Sequence, residues 1–189
     1  MQNLPNGVYR LDPTPPLSIQ VLRLAGWYEG RKVDISEQEK RYEQCGCVLT
    51  SLARETLSEI YGLPYGWYFR HRKRSGFVGI GGYEYWFDTK YNDGFIDDCQ
   101  DKNLLPADIR DSAIPILCTG WHQFDSPVWV GKDNLFYRVH YLKEDLETFS
   151  TLHELLEDDM MFCLNDFIGS SDQQELYVTF TNQDVLHWD

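Results

Sequence analysis

The residues best equipped for chemistry sit in CTGWHQFD, residues 118–125, where Cys118, His122 and Asp125 bring a thiol, an imidazole and a carboxylate into eight positions. A thiol activated by an imidazole is a nucleophile for acyl or group transfer. Such partners converge in space rather than along one strand, so this spacing is a poor fit to a triad. Cys118 with His122 is the basis of an alternative reading as a small cytoplasmic enzyme. The other histidines, at 71, 140, 153 and 187, form no HExxH-type pair. Cys45 and Cys47 are one residue apart, too close for a zinc knuckle. With Cys99, Cys118 and Cys163 they make an odd set of five without framework spacing, as expected of reduced thiols. No metal and no cofactor is expected, and no catalytic residue is assigned.

The glycines of GFVGIGGYEYW, residues 76–86, have no helix after them, so they do not make a phosphate-binding loop. Carboxylates cluster as DDCQD, with Asp97, Asp98 and Asp101, and as EDD, with Glu157, Asp158 and Asp159. General acid–base pairs need carboxylates held in a pocket, whereas both clusters read as exposed, a solvated face first and a binding face as the alternative. RHRKR at 70–74 is too short to read nucleic acid in a chain of net charge −13.

Charge is segregated. Residues 23–74 hold 10 Lys/Arg against 7 Asp/Glu, whereas residues 84–189 hold 6 against 22, a net −16. Such a surface repels nucleic acid; charge alone reads first as solubility, with attraction of a basic protein as the alternative. No run of about 20 apolar residues could span a bilayer. The start, MQNLPNGVYRLDPTPP, lacks the basic and apolar regions of a signal peptide, so the cytoplasm is the expected compartment and no membrane partner is expected.

These side chains must be carried by a chain whose 189 residues suit one domain. Residues 1–16, rich in proline, read as an extended arm, and 17–189 as a single domain whose last part, 166–189, is a C-terminal extension. LSIQVLRLAG reads as a short helix stopped by Gly26. Ser36 to Glu39 spells a capping box for a second helix, and a third starts at Thr50 or Ser51, buries Leu52, Ala53, Leu57 and Ile60, and ends at Gly62. GWYFRH, GFVGI, YEYWFD, AIPILC, PVWVG and LFYRVHY read as strands of an antiparallel or mixed sheet, with one helical turn in NLLPADIRD. Thr151 and Glu154 make a second capping box ahead of the longest helix, and ELYVTF and VLHW close the chain. The order predicts an α+β fold with helices on one side of the sheet.

AGWYEGRKVD, residues 25–34, joins the first two helices with two large aromatics and a cation. Trp27 and Tyr28 are expected to pack as a structural corner, and Arg31 to pair with Asp34 or with carbonyls at a helix end. The stretch LRLAGWYEGRKVDISEQEKRYEQCGCVLTSLARETLSEIYGL resembles the N-terminal signature of the SUKH superfamily, in particular its third immunity-protein subgroup. Ala25-Gly26-Trp27, Gly30-Arg31, Val33-Asp34-Ile35 and Gly62-Leu63 stand at the matching places, with Tyr61 where the family has a glycine. Ala113-Ile114-Pro115-Ile116, LFYRVHY and TFSTLHELL are similar to later family segments, so the resemblance runs in order over about residues 17–165. It implies a SUKH (Smi/Knr-like) α+β fold, with Gly26, Trp27, Gly30, Arg31 and Asp34 as structural signature residues. It also implies a non-catalytic immunity protein that binds and neutralises a cognate toxin domain of a polymorphic toxin system. A basic, nuclease-type toxin fits the charge, and both acidic clusters become candidate toxin-binding residues. A regulatory adaptor of the Smi/Knr type is a further alternative.

Overall fold

Strand β1, Val8–Leu11, runs antiparallel to the last described strand, β8, Leu176–Phe180, with Val8 opposite Thr179 and Leu11 opposite Leu176. Residues 8–11 of the expected N-terminal arm are therefore part of a sheet. In the computed structural model the described residues are 7–12, 14, 16–63, 67–73, 76–83, 105–121, 124–139, 145–168 and 175–180. Among them the fold is α+β, and all strand pairing is antiparallel. The expected strands YEYWFD (beyond Tyr83) and VLHW lie outside these residues.

Helix α1 spans Leu17–Leu24, α2 Ser36–Gln44 and α3 Ser51–Ile60. Strands β2, Trp67–Lys73, and β3, Gly76–Tyr83, complete one sheet in the order β1-β8-β2-β3. After the single turn of α4, Ala107–Arg110, come β4, Ile114–Trp121, β5, Phe124–Val130, β6, Phe136–Val139, and β7, Leu146–Phe149. These form a second sheet in sequence order, where a single sheet was expected, and β3 passes close to β4. Helix α5, Leu152–Ile168, follows β7.

The pleat sorts the second sheet into two faces. Val128, Val130 and Phe136 join the main core with Leu17, Val21, Leu22, Leu57, Ile60, Leu155, Leu156 and Met160. Trp129, Tyr137 and Val139 point to the other side, where Leu105, Ile109 of α4 and Ala113 cover them. The four longer helices thus share one core, and the single turn of α4 takes the opposite face. Tyr42 is fully buried, and its hydroxyl donates to the Pro115 carbonyl at 2.6 Å, tying α2 to β4.

The AGW corner has a backbone explanation. Gly26 takes φ +101°, where its N–H donates to the Arg23 carbonyl while the Trp27 N–H reaches back to Leu22. This pair of bonds is a Schellman motif, which requires a left-handed residue just past the helix and places the following side chain against the last turn. Trp27 is accordingly buried, edge-on to His153 of α5 with ring centroids 5.0 Å apart. Gly30, at φ +77°, makes the next reversal, closed by the Arg31 N–H on the Tyr28 carbonyl. Tyr28 departs from expectation: it is 61% exposed, because the turn points it away from the core that Trp27 enters.

The two capping boxes have different outcomes. Thr151 and Glu154 exchange the expected bonds: the Thr151 hydroxyl accepts from the Glu154 N–H at 3.1 Å, and the Glu154 carboxylate accepts from Thr151 N–H at 3.2 Å. Ser36 instead lies inside α2, and both its N–H and hydroxyl donate to Asp34, while Glu39 turns to Arg54. Those hydrogen bonds hold the Asp34 carboxyl below its usual range.

Truncating the two aromatics should therefore give opposite results. Trp27→Ala is expected to lower unfolding free energy by about 3–5 kcal/mol, as large buried aromatics do. Tyr28→Ala should stay within about 0.5 kcal/mol. Urea unfolding followed by fluorescence and circular dichroism measures both, and equal losses would contradict the assignment of the corner.

Candidate functional site

Among the described residues, the strongest concentration of interacting ionisable groups is built on β6, β7 and α5. In LFYRVHY, Phe136 faces the core, so two residues on Arg138 faces it as well. Arg138 is wholly buried. Its register partner across the antiparallel pair is Glu147, which accepts from Arg138 Nε at 2.8 Å and also from Nη2. From above, Asp159 accepts from Nη1 and Asp158 from Nη2. The guanidinium also lies over the Phe149 ring, 4.9 Å from its centroid.

Three acidic neighbours can divide between two targets, the guanidinium and the start of α1, because successive residues on a helix are turned by about 100°. Asp159 lies in the apolar stripe of α5 with Leu152, Leu155, Leu156 and Met160, so it is buried. Asp158 stands at the rim with its side chain 45% exposed. Glu157 turns toward α1, whose N-terminus follows Pro16 and has no local side-chain cap. Its carboxylate accepts from the Leu17 N–H at 3.0 Å and the Ser18 N–H at 2.7 Å, a helix cap supplied from 140 residues away.

The expectation of an exposed acidic face at Glu157, Asp158 and Asp159 is thus corrected for Glu157 and Asp159, which are turned inward, whereas Asp158 keeps its exposure at the rim. Charges of that density are costly to bury unpaired, but here a buried cation and two helix-end N–H groups supply the partners. Burial alone would disfavour the charge on Arg138, yet Asp159, Asp158 and Glu147 outweigh it and raise the guanidinium pKa. Burial pushes the Asp159 carboxyl up to about 6, against the pull of Arg138 and of the nearby Thr119 hydroxyl of β4. Asp97, Asp98 and Asp101 lie outside the described residues.

Arg31 makes a second buried anchor. Its guanidinium donates to the Glu59 carbonyl and, at 2.7 Å, to the Tyr61 carbonyl, the exposed acceptors at the end of α3. Of the two expected partners, helix-end carbonyls rather than Asp34 hold this side chain. Burial lowers its pKa. Beside it, residues 32–36, α2 and α3 border an open groove of about 310 Å³, lined in part by Lys32, Asp34, Glu55 and the Glu39–Arg54 ion pair.

Cys45 and Cys47 are partly buried thiols that take part in no disulfide. Cys118 belongs to β4, but its side chain, like His122 and Cys99, lies outside the described residues, as does the side chain of Cys163. His153 is partly buried against Trp27, and burial lowers its pKa. Among the described residues, no group of three or more His, Cys, Asp or Glu side chains is arranged to hold a metal ion. No described helix is long and apolar enough to cross a membrane.

Sequence reasoning did not single out Arg138, although its phase with Phe136 marks it for burial. Asp159 carries the same mark, seven residues after Leu152 in the apolar stripe. The cap by Glu157 has no local signal at all. The arrangement as a whole acts mechanically: it fastens α5 to the sheet and to α1. Arg138→Met is expected to destabilise the fold by about 3–5 kcal/mol by stranding the carboxylates. Arg138→Lys should recover only part of that loss, because an ammonium cannot match the planar fork. Denaturant melts at fixed pH measure both, and full recovery by lysine would contradict the geometry.

Comparison with protein-family models, with curated proteins and with solved structures returned no match for this chain.

Proposed function

We propose that this protein is a non-catalytic binder that neutralises a basic protein toxin domain in the cytoplasm, in the manner of a SUKH-type immunity protein. The observation that carries the reading is the charge asymmetry: 22 carboxylates against 6 cations over residues 84–189. An acidic surface of that kind occupies the positions where a basic toxin would hold the phosphates of its substrate. The resemblance of residues 22–63 to the SUKH signature supports the same reading. Its residues serve folding here: Gly26 and Gly30 make the turns, Trp27 packs, Arg31 caps α3 and Asp34 braces the start of α2.

The internal roles of Glu157 and Asp159 narrow the binding surface. Groups already held by a helix end or a buried guanidinium have little left to offer a partner. In this reading Asp97, Asp98 and Asp101 carry the contact.

The test uses the product of the neighbouring gene as bait and follows association by surface plasmon resonance over a salt series. Binding should slow steeply with salt, because steering is screened beyond about 10 Å at 0.1 M. Asp97→Asn, Asp98→Asn and Asp101→Asn together should reduce kon more than they raise koff, while leaving the melting temperature nearly unchanged. Glu157→Gln should do the reverse, lowering stability with kon preserved. Salt-independent association, unaffected by the triple change, would remove the acidic surface from the interface.

A further inference from the structure

Three carboxylates surround one guanidinium in the Arg138 cluster, so with every group ionised it would hold a net charge of −2 beneath α5. The three are not equally placed to bear it. Asp158 is 45% exposed and Glu147 19%, so water shares their charge, whereas Asp159 is 2% exposed. The groups facing Asp159 are Arg138 from β6, the Thr119 hydroxyl from β4 and Asp158 from its own helix, with Glu147 of β7 on the far side of the guanidinium. One cation is thus contested by three anions, and the anion with least access to water has most to gain from becoming neutral.

We propose that the cluster holds one proton on Asp159 in the native fold and releases it to solvent between mildly acidic and neutral pH, so that α5 is fastened to the β4–β7 sheet more tightly in acid. This device is independent of the toxin-binding reading. It would make docking of the late helix, and with it the Glu157 cap on α1, responsive to acidification.

The direction follows from linkage. Asp159 in the fold is raised to about 6 from the ordinary 3.8. A raised folded value contributes stability that is fully present below the unfolded value and lost as pH rises through the folded one. His153 works in the opposite sense, since burial lowers its pKa and its protonation in acid opposes folding. A bulk stability curve mixes the two, so the comparison needs a variant in which His153 is common to both proteins.

The experiment titrates 13C-carboxyl-labelled aspartate in the whole protein by NMR, alongside Asp159→Asn, which keeps the neutral shape. One aspartate should titrate near 6 and be missing from the variant. Between about pH 4 and pH 7 the wild-type folding equilibrium constant should fall roughly fiftyfold relative to that of Asp159→Asn. A single Asp159 midpoint below 4, or parallel stability curves, would overturn the proposal. If the variant does not fold, the wild-type resonance, assigned by through-bond correlation to residue 159, decides alone.

Discussion

A guanidinium with no access to water has to find its hydrogen-bond acceptors inside the protein, and the position of Arg138 on β6 dictates where those acceptors must be. One comes from the neighbouring strand in register, Glu147. The others come from α5, so the helix can dock only with Asp158 and Asp159 over that strand. Apolar packing between α5 and the sheet would tolerate small slides or rotations, since Leu155, Leu156 and Met160 can repack at modest cost. The charged contacts do not tolerate them. A shift by one residue would turn the helix by about 100° and leave a buried cation facing carbon.

The same helix carries the constraint outward. With Asp159 held, Glu157 is directed at α1, where it takes the place of the Ser, Thr, Asp or Asn cap that the proline-rich approach lacks. At the other end of α1, the Schellman turn sends Trp27 back against His153, one turn earlier on α5. Helices α1 and α5 are therefore joined at both ends of α1 by contacts of different kinds. The turn beyond Trp27 then delivers Arg31 to the end of α3, so three helices are connected through one short stretch of chain. Large aromatics and a cation in a connector are explained by these tasks.

For binding, this internal use of charge separates two populations of carboxylates that look alike in composition. Glu147, Glu157 and Asp159 hold the fold together. Those that remain in water set the electrostatic field that a partner meets first, and the proposed function depends on them. A chain can thus be strongly acidic overall while two of its three consecutive acidic residues at 157–159 are turned inward.

The sequence by itself determined the parts governed by short-range chemistry. Helix ends with a glycine or a reciprocal Thr151–Glu154 box, the period of α3 and α5, and the alternation in β5 and β6 were all legible, because each depends on neighbours within a few residues. The burial of Arg138 and Asp159 was also written there, since both fall in phase with apolar neighbours, but Arg138 was not singled out and the density of charge around Asp159 drew its reading toward solvent. Only the tertiary structure decided that these two meet, that Glu157 caps a helix 140 residues away, and that Glu39 turns to Arg54 instead of closing the box with Ser36. It also decided that the strands divide into two antiparallel sheets with β1 at an edge beside β8. Those outcomes depend on which distant surfaces come into contact, and no local periodicity encodes the identity of a partner across the chain.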